Sequence, residues 1–211
     1  MEAVAEFEKS PSAASAFALG RAAILSPTQT FSTMPLDGPW LPATVIALLV
    51  GMVLWCDEVH SLRGSIDSLR AMPQIAEALN SPMGRDLLGS MGGDGGWFAV
   101  WLAGLPTVPV GLFFSVLSLH ACLVVCGAAG GGVRGTWRVT CYSAIGGLLG
   151  LIPILGSLIG LCVVSVQLVV GLKHVHRSSS ARILLALSLP MLVVGAMLVL
   201  LMVLVLAPRL H

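Results

Sequence analysis

The chain has 211 residues, 56% of them hydrophobic and only 10% charged, with a mean hydropathy of +0.96. Soluble globular domains carry about 25% charged residues, so water is excluded as the main solvent. Eleven Lys and Arg against ten Asp and Glu give a net charge of +1, which excludes a basic nucleic-acid surface and leaves lipid and protein as partners.

Taken in chain order, Glu2, Glu6 and Glu8 precede any apolar run, whereas a secretory signal begins cationic and turns apolar at once; no cleaved signal is expected. Ala13 to Leu25 is helix-permissive, carries Phe17, Leu19, Ile24 and Leu25 with Arg21 as its only charge, and stops before Pro27. It reads as an interfacial helix within a cytosolic N-terminal segment, residues 1–37.

The remainder, 38–208, reads as an all-α polytopic membrane bundle of five transmembrane helices. Crossing a hydrocarbon core of about 30 Å takes about 20 helical residues, so long uncharged runs are the signal. Span one covers about 40–56, with Trp40 and Trp55 as interfacial anchors. Residues 57–97 form an extracytosolic loop with amphipathic helices. In the first, Val59, Leu62, Ile66 and Leu69 make one apolar stripe; the second runs from Pro73 to Leu79, before a glycine-rich return at Gly89 to Gly96. Span two covers about 106–126, after an interfacial stretch holding Trp97 and Trp101. Its Gly111, Ser115, Ser118, Cys122 and Cys126 form a small-residue stripe of the kind that lets membrane helices approach closely.

Gly127 to Gly135 reads GAAGGGVRG and is a loop, because each interior glycine costs a helix about 1 kcal/mol. From Val139 to Leu172 no charge occurs, and one helix of that length would reach roughly 51 Å, more than a bilayer needs. Pro153 and Gly156 supply the break, giving a tight hairpin between span three (135–152) and span four (155–173). Gly146 with Gly150, and Gly156 with Gly160, repeat the close-packing spacing on either side of it. Span five covers 183–207, with a kink at Pro190.

Orientation follows from positive charge. Lys9, Arg21, Arg134, Arg138, Lys173, Arg177 and Arg182 fall on one side, and Arg63, Arg70, Arg85 and Arg209 on the other. That excess places the N-terminus inside and the C-terminus outside. Arg outnumbers Lys by nine to two and Ala and Gly abound, which points to a bacterial cytoplasmic membrane.

Catalytic chemistry finds no support. Gly156-Ser157-Leu158-Ile159-Gly160 is not a nucleophile elbow, and no His neighbours Ser157. The five cysteines lie in or beside apolar runs and read as packing residues, so His120, Cys122, Cys126, His174 and His176 are not expected to hold a metal, and no cofactor is expected. Coupled transport requires ionisable groups inside the membrane, and the uncharged runs offer only His120, Tyr142 and Gln167. An oligomeric channel or small-molecule transporter lined by those three is the alternative to the main expectation, a non-enzymatic scaffold or adaptor for protein partners or self-association. Its cytosolic interaction face would comprise Arg134, Arg138, Lys173, His176 and Arg177.

The order of features from Gly130 onward resembles the Yip-domain family, the Ypt/Rab-interacting membrane proteins, and in particular its bacterial members. The matching points are Gly130 to Gly132, Arg138 and Tyr142, Pro153 and Gly156, Gly171-Leu172 with His176, and Pro190. Ser26-Pro27 with Phe31 is similar to the family's lead-in. Asp37-Gly38-Pro39-Trp40 is similar to the Asp-Leu-Tyr-Gly-Pro motif of eukaryotic members, with the tyrosine missing. The resemblance implies five spans, a cytosolic N-terminus, and a role in membrane organisation, trafficking or partner scaffolding without catalysis.

Overall fold

A computed structural model describes residues 3–70, 72, 81 and 94–206. The helix expected from Pro73 to Leu79, Arg85, Arg209 and the first part of the glycine-rich return lie outside the described residues. Every regular element among the described residues is helical.

Three short helices come first: α1 (Ala3–Lys9), α2 (Ala13–Leu25) and α3 (Pro27–Ser32). Ser12 caps α2, its side chain accepting from the Ser15 backbone while the Ser15 side chain accepts from the Ser12 backbone, so two N–H groups that the helix cannot satisfy are paired. Pro27 then opens α3, where its missing N–H costs nothing.

Helix α4 runs unbroken from Leu41 to Arg70. Its 30 residues reach roughly 45 Å, so the stripe of Val59, Leu62, Ile66 and Leu69 continues the first apolar helix instead of forming a separate one. Charges alone do not end a helix, and the only glycine between Cys56 and Arg70, Gly64, stands in open space. Helix α5 (Asp94–Val125) begins earlier than the sequence suggests, taking in the last residues of the glycine-rich return and passing through Pro106 and Pro109 without a break. It runs antiparallel to α4. The Trp55 indole donates to the Val100 carbonyl at 3.3 Å, Arg63 stacks over Trp97 at 5.7 Å, and Gly104 and Gly51 accept the Trp55 ring and Val108 so closely that a Cβ at either would collide.

Of the expected small-residue stripe, Cys122 and Cys126 pack against the core, but the first three members do not. Gly111, Ser115 and Ser118 are exposed, while Val116 and Leu123 are buried and Leu112 and Leu119 pack against the core. The two faces share the same three- and four-residue spacing, and the larger side chains bury more apolar area.

The uncharged stretch after Arg138 divides into α6 (Gly132–Gly147), a 3-10 turn (Leu148–Leu151) and α7 (Gly156–His176). Residues 152–155 turn the chain, closed by Leu155 N–H to the Pro153 carbonyl at 2.9 Å and Gly156 N–H to the Ile152 carbonyl at 3.0 Å. Ile154 sits at the tip with φ 72° and 99% exposure, an unusual left-handed conformation for a β-branched residue. Helices α6 and α7 run antiparallel: Gly135 faces Val175, Gly146 faces Val163 and Val164, and Gly160 faces the Gly150 backbone. Helix α8 (Ser180–Leu206) closes the chain, contains Pro190, and packs on α5 and α7.

Among the described residues, four helices are long and apolar enough to cross a membrane: Leu41–Leu69, Gly96–Val125, Gly156–His176 and Ser180–Val199. Helix α6, at 16 residues, is shorter than about 20. The protein core forms around α6 and α7, with α2 packed on α6, α3 on α7, and α1 on α2 and α3.

Candidate functional site

The polar chemistry of the molecule gathers inside that core. Helix α1 buries Ala3, Val4 and Phe7 and thereby carries Glu8 to the middle of α6. There the Arg138 guanidinium, wholly buried, donates through Nη2 to Glu8 Oε1 at 2.5 Å, and the Tyr142 hydroxyl donates to the same oxygen at 2.9 Å. Arg138 Nη1 donates to the Pro35 carbonyl and to the Leu36 carbonyl. Gly38 makes room for the pair, since a Cβ there would overlap both the guanidinium and the Glu8 carboxylate. Arg138 and Tyr142 are four residues apart and so share one face of α6, and both converge on a residue 130 and 134 positions away. Arg138 Nε has no partner.

A second network joins the ends of α5, α6 and α7. The Gly131 N–H donates to His176 Nδ1 at 2.9 Å, so that nitrogen carries no proton and the neutral ring holds its hydrogen on Nε2. Nε2 then donates to Thr136 Oγ1 at 3.0 Å, and the same hydroxyl oxygen is hydrogen-bonded to His120 Nδ1 at 2.9 Å and lies 3.4 Å from the Gly132 carbonyl. Gly130 and Gly131 lie against the His176 and Val175 carbonyls at distances that leave no space for a side chain, which is what the glycine run provides. Arg177, next in the chain, turns out of α7 with φ 49°.

Two further bonds tie the N-terminal segment and α4 to this core. Gln167, fully buried, donates from Nε2 to the Ala23 carbonyl at 2.9 Å, and the Trp137 indole donates to Thr44 Oγ1 at 2.7 Å.

Of the five residues expected at an interaction face, Arg134, Lys173 and Arg177 are exposed, whereas Arg138 and His176 are buried and engaged within the chain. Arg177 and His176 border a hollow of about 450 Å³ with Asp37, Gly130 and Gly131. Of the glycines expected at the turn, Gly146, Gly156 and Gly160 are buried in close contacts, Gly150 lends its backbone to Gly160, and Pro153 is exposed. Sequence reasoning missed Glu8, Gly38, Thr136 and Thr44. For Glu8 the one local signal is the spacing of Val4 and Phe7, which makes α1 amphipathic. Nothing local announces its partner. Among the described residues no three of His, Cys, Asp and Glu gather to hold a metal ion.

Arg138, Tyr142, His176, the Gly130 to Gly132 run and the Pro153 turn all fall within the stretch that a family model matches, residues 21–203, the Yip1 domain, whereas Glu8 precedes it. The chain belongs to the Yip1 domain family. No curated protein and no solved structure matches it. Membership in the Yip1 domain family agrees with apolar helices able to cross a membrane and with a multi-pass integral membrane protein in contact with lipid.

Proposed function

We propose that this Yip1-domain protein is a non-enzymatic scaffold or adaptor of the bacterial cytoplasmic membrane. Its N-terminus lies in the cytosol and its C-terminus outside, and α6 and α7 form a hairpin that provides spans three and four of five. The reading is supported by how the polar residues are used. Arg138, Tyr142, Gln167, His120 and His176 all have partners within the chain, so they fasten helices together and line no solute path that these contacts leave open. Of the five residues expected at the interaction face, Arg134, Lys173 and Arg177 stay outward, where α6 begins and α7 ends, and belong to the positive excess assigned to the cytosolic side.

Helix α6 is short for a span, yet continued through the 3-10 turn to Leu151 it reaches 20 residues, enough for the hydrocarbon core. The uncharged, exposed tip at Ile152, Ile154 and Leu155 is suited to the far side of the lipid. The test uses single cysteines at Arg134, Ile154 and Arg177 in a cysteine-free background, with membrane-impermeant labelling of right-side-out and inverted vesicles. Labelling of Arg134 and Arg177 from one side and of Ile154 from the other is expected; labelling of Arg134 and Ile154 from the same side overturns the five-span arrangement. For function, Arg134, Lys173 and Arg177 are replaced together by Gln. Loss of the proteins that co-purify from native membranes is expected, with no change in solute flux. Unchanged co-purification with altered flux favours the oligomeric channel.

A further inference from the structure

Helix α2 carries a single charge, and it finds no partner among the described residues. Arg21 is exposed, and among the described residues no carboxylate or carbonyl receives its guanidinium. One turn to either side on the same face stand Phe17 and Leu25, 76% and 69% exposed. A cation held between two outward apolar side chains is poorly suited to open water and to plain hydrocarbon alike.

Two hollows meet at this residue. The first, about 540 Å³, runs between α2, α4 and α6, with Ile46, Leu49, Val50, Ile145 and Leu148 on its walls. The second, about 440 Å³, follows α2 to the start of α3 and is walled by Ser26, Gln29 and Thr30. Phe17, Arg21 and Leu25 border both. A ligand that satisfies the whole arrangement is apolar at one end, anionic where it reaches Arg21, and hydrogen-bonding beyond.

We propose that this is a binding site for one anionic phospholipid, with an acyl chain in the apolar groove, its phosphate on Arg21 and its headgroup toward Ser26 and Gln29. Guanidinium and phosphate match through paired N–H donors, and the match strengthens where water is scarce. An acidic peptide fits less well, because the groove offers no polar partner for the amides that a peptide would bring, whereas an acyl chain brings none. Leu49 and Val50 lie within the uncharged part of α4, so the groove opens where lipid chains are at hand. The proposal is independent of the scaffold reading.

The test is native mass spectrometry of the purified full chain, titrated with phosphatidylglycerol and with phosphatidylcholine of identical acyl chains. Wild type is expected to hold phosphatidylglycerol more tightly. Arg21→Gln should weaken it about fivefold, the worth of one basic residue at an anionic lipid surface, and leave phosphatidylcholine unchanged. Arg21→Lys should restore most of the loss, and Lys9→Gln, the same loss of charge outside the site, should change nothing. Gly20→Leu tests the groove separately: its Cβ would point at Ile145 Cγ2 from 3.8 Å, so the added chain fills the space and should weaken both lipids. Equal retention of the two lipids by wild type overturns the proposal, as does an equal loss in Arg21→Gln and Lys9→Gln. Full competition by inorganic phosphate with no effect of Gly20→Leu would make this a phosphate site. A dimer that Gly20→Leu dissolves would give the groove to a second copy of the chain.

Discussion

Helices α6 and α8 both pack on α7, and they are buried in opposite ways. Nine of the 16 residues of α6 are buried by other parts of the chain, among them Arg138, Thr136 and Ser143. In α8 only Ile183 and Ala186 are buried among the described side chains, and Met191, Met197, Val199 and Met202 are each more than 60% exposed. Helix α8 is apolar all round because its main partner is lipid. Helix α6 is polar in places because protein surrounds it, and each polar group there finds a matched partner or leaves a penalty. The difference teaches that hydropathy detects the helix held by the bilayer more readily than the one held by the fold.

The sharpest way to break this contrast is to remove Glu8. Glu8→Ala leaves the Arg138 guanidinium buried without its counter-charge, and deleting one partner of a buried pair costs about 3–5 kcal/mol. Thermal unfolding in detergent should show a large fall in Tm and release of α1 to protease. The double replacement Glu8→Met with Arg138→Met removes the uncompensated charge and should recover most of the loss. If Glu8→Ala proves as stable as wild type, the pair does not anchor the N-terminal segment.

How much of this was legible in the sequence follows the same division. The apolar runs behind α4, α5, α7 and α8 stand out because they are long and uncharged, and the change of direction near Pro153 is signalled by a proline and a glycine in a stretch too long for one helix. Helix α2 is also marked, at Ala13 to Leu25, by its composition and by Pro27 beyond it. The continuation of α4 past Cys56 was hidden because the appearance of charge looks like a boundary when hydropathy is the only measure. Glu8 with Arg138, Gln167 with the Ala23 carbonyl, and His176 with Thr136 and His120 had no local signature at all. Such pairs are fixed by tertiary packing across up to 144 positions, and periodicity reports only neighbours within a turn or two. The result for the expected interaction face was a mixture, with Arg138 and His176 turned inward beside the outward Arg134, Lys173 and Arg177.

A smaller effect sharpens the comparison at the packing level. A Cβ at Gly146 would stand 2.8 Å from Oε1 of the fully buried Gln167 and 3.0 Å from Cγ2 of the half-buried Val164. Gly146→Ala should therefore force α6 away from α7 and destabilise the protein by about 1–3 kcal/mol, read as a lower unfolding temperature. An unchanged Tm would mean that the α6 and α7 contact is looser than its geometry.

The smallest effect is expected in α8, and its sign is what carries the argument. Gly195 has no atom within 4 Å of the place where a Cβ would stand, so a methyl group there meets nothing in the chain. What remains is the intrinsic cost of glycine in a helix interior, about 0.5–1 kcal/mol relative to alanine. Gly195→Ala should then raise Tm slightly in the same detergent in which Gly146→Ala lowers it, one substitution giving opposite signs in two helices that share a neighbour. A clear fall in Tm would show that Gly195 packs closely against a surface outside the described chain. A second copy of the protein would then become the first candidate for that surface, and α8 would join α6 as a helix held by protein.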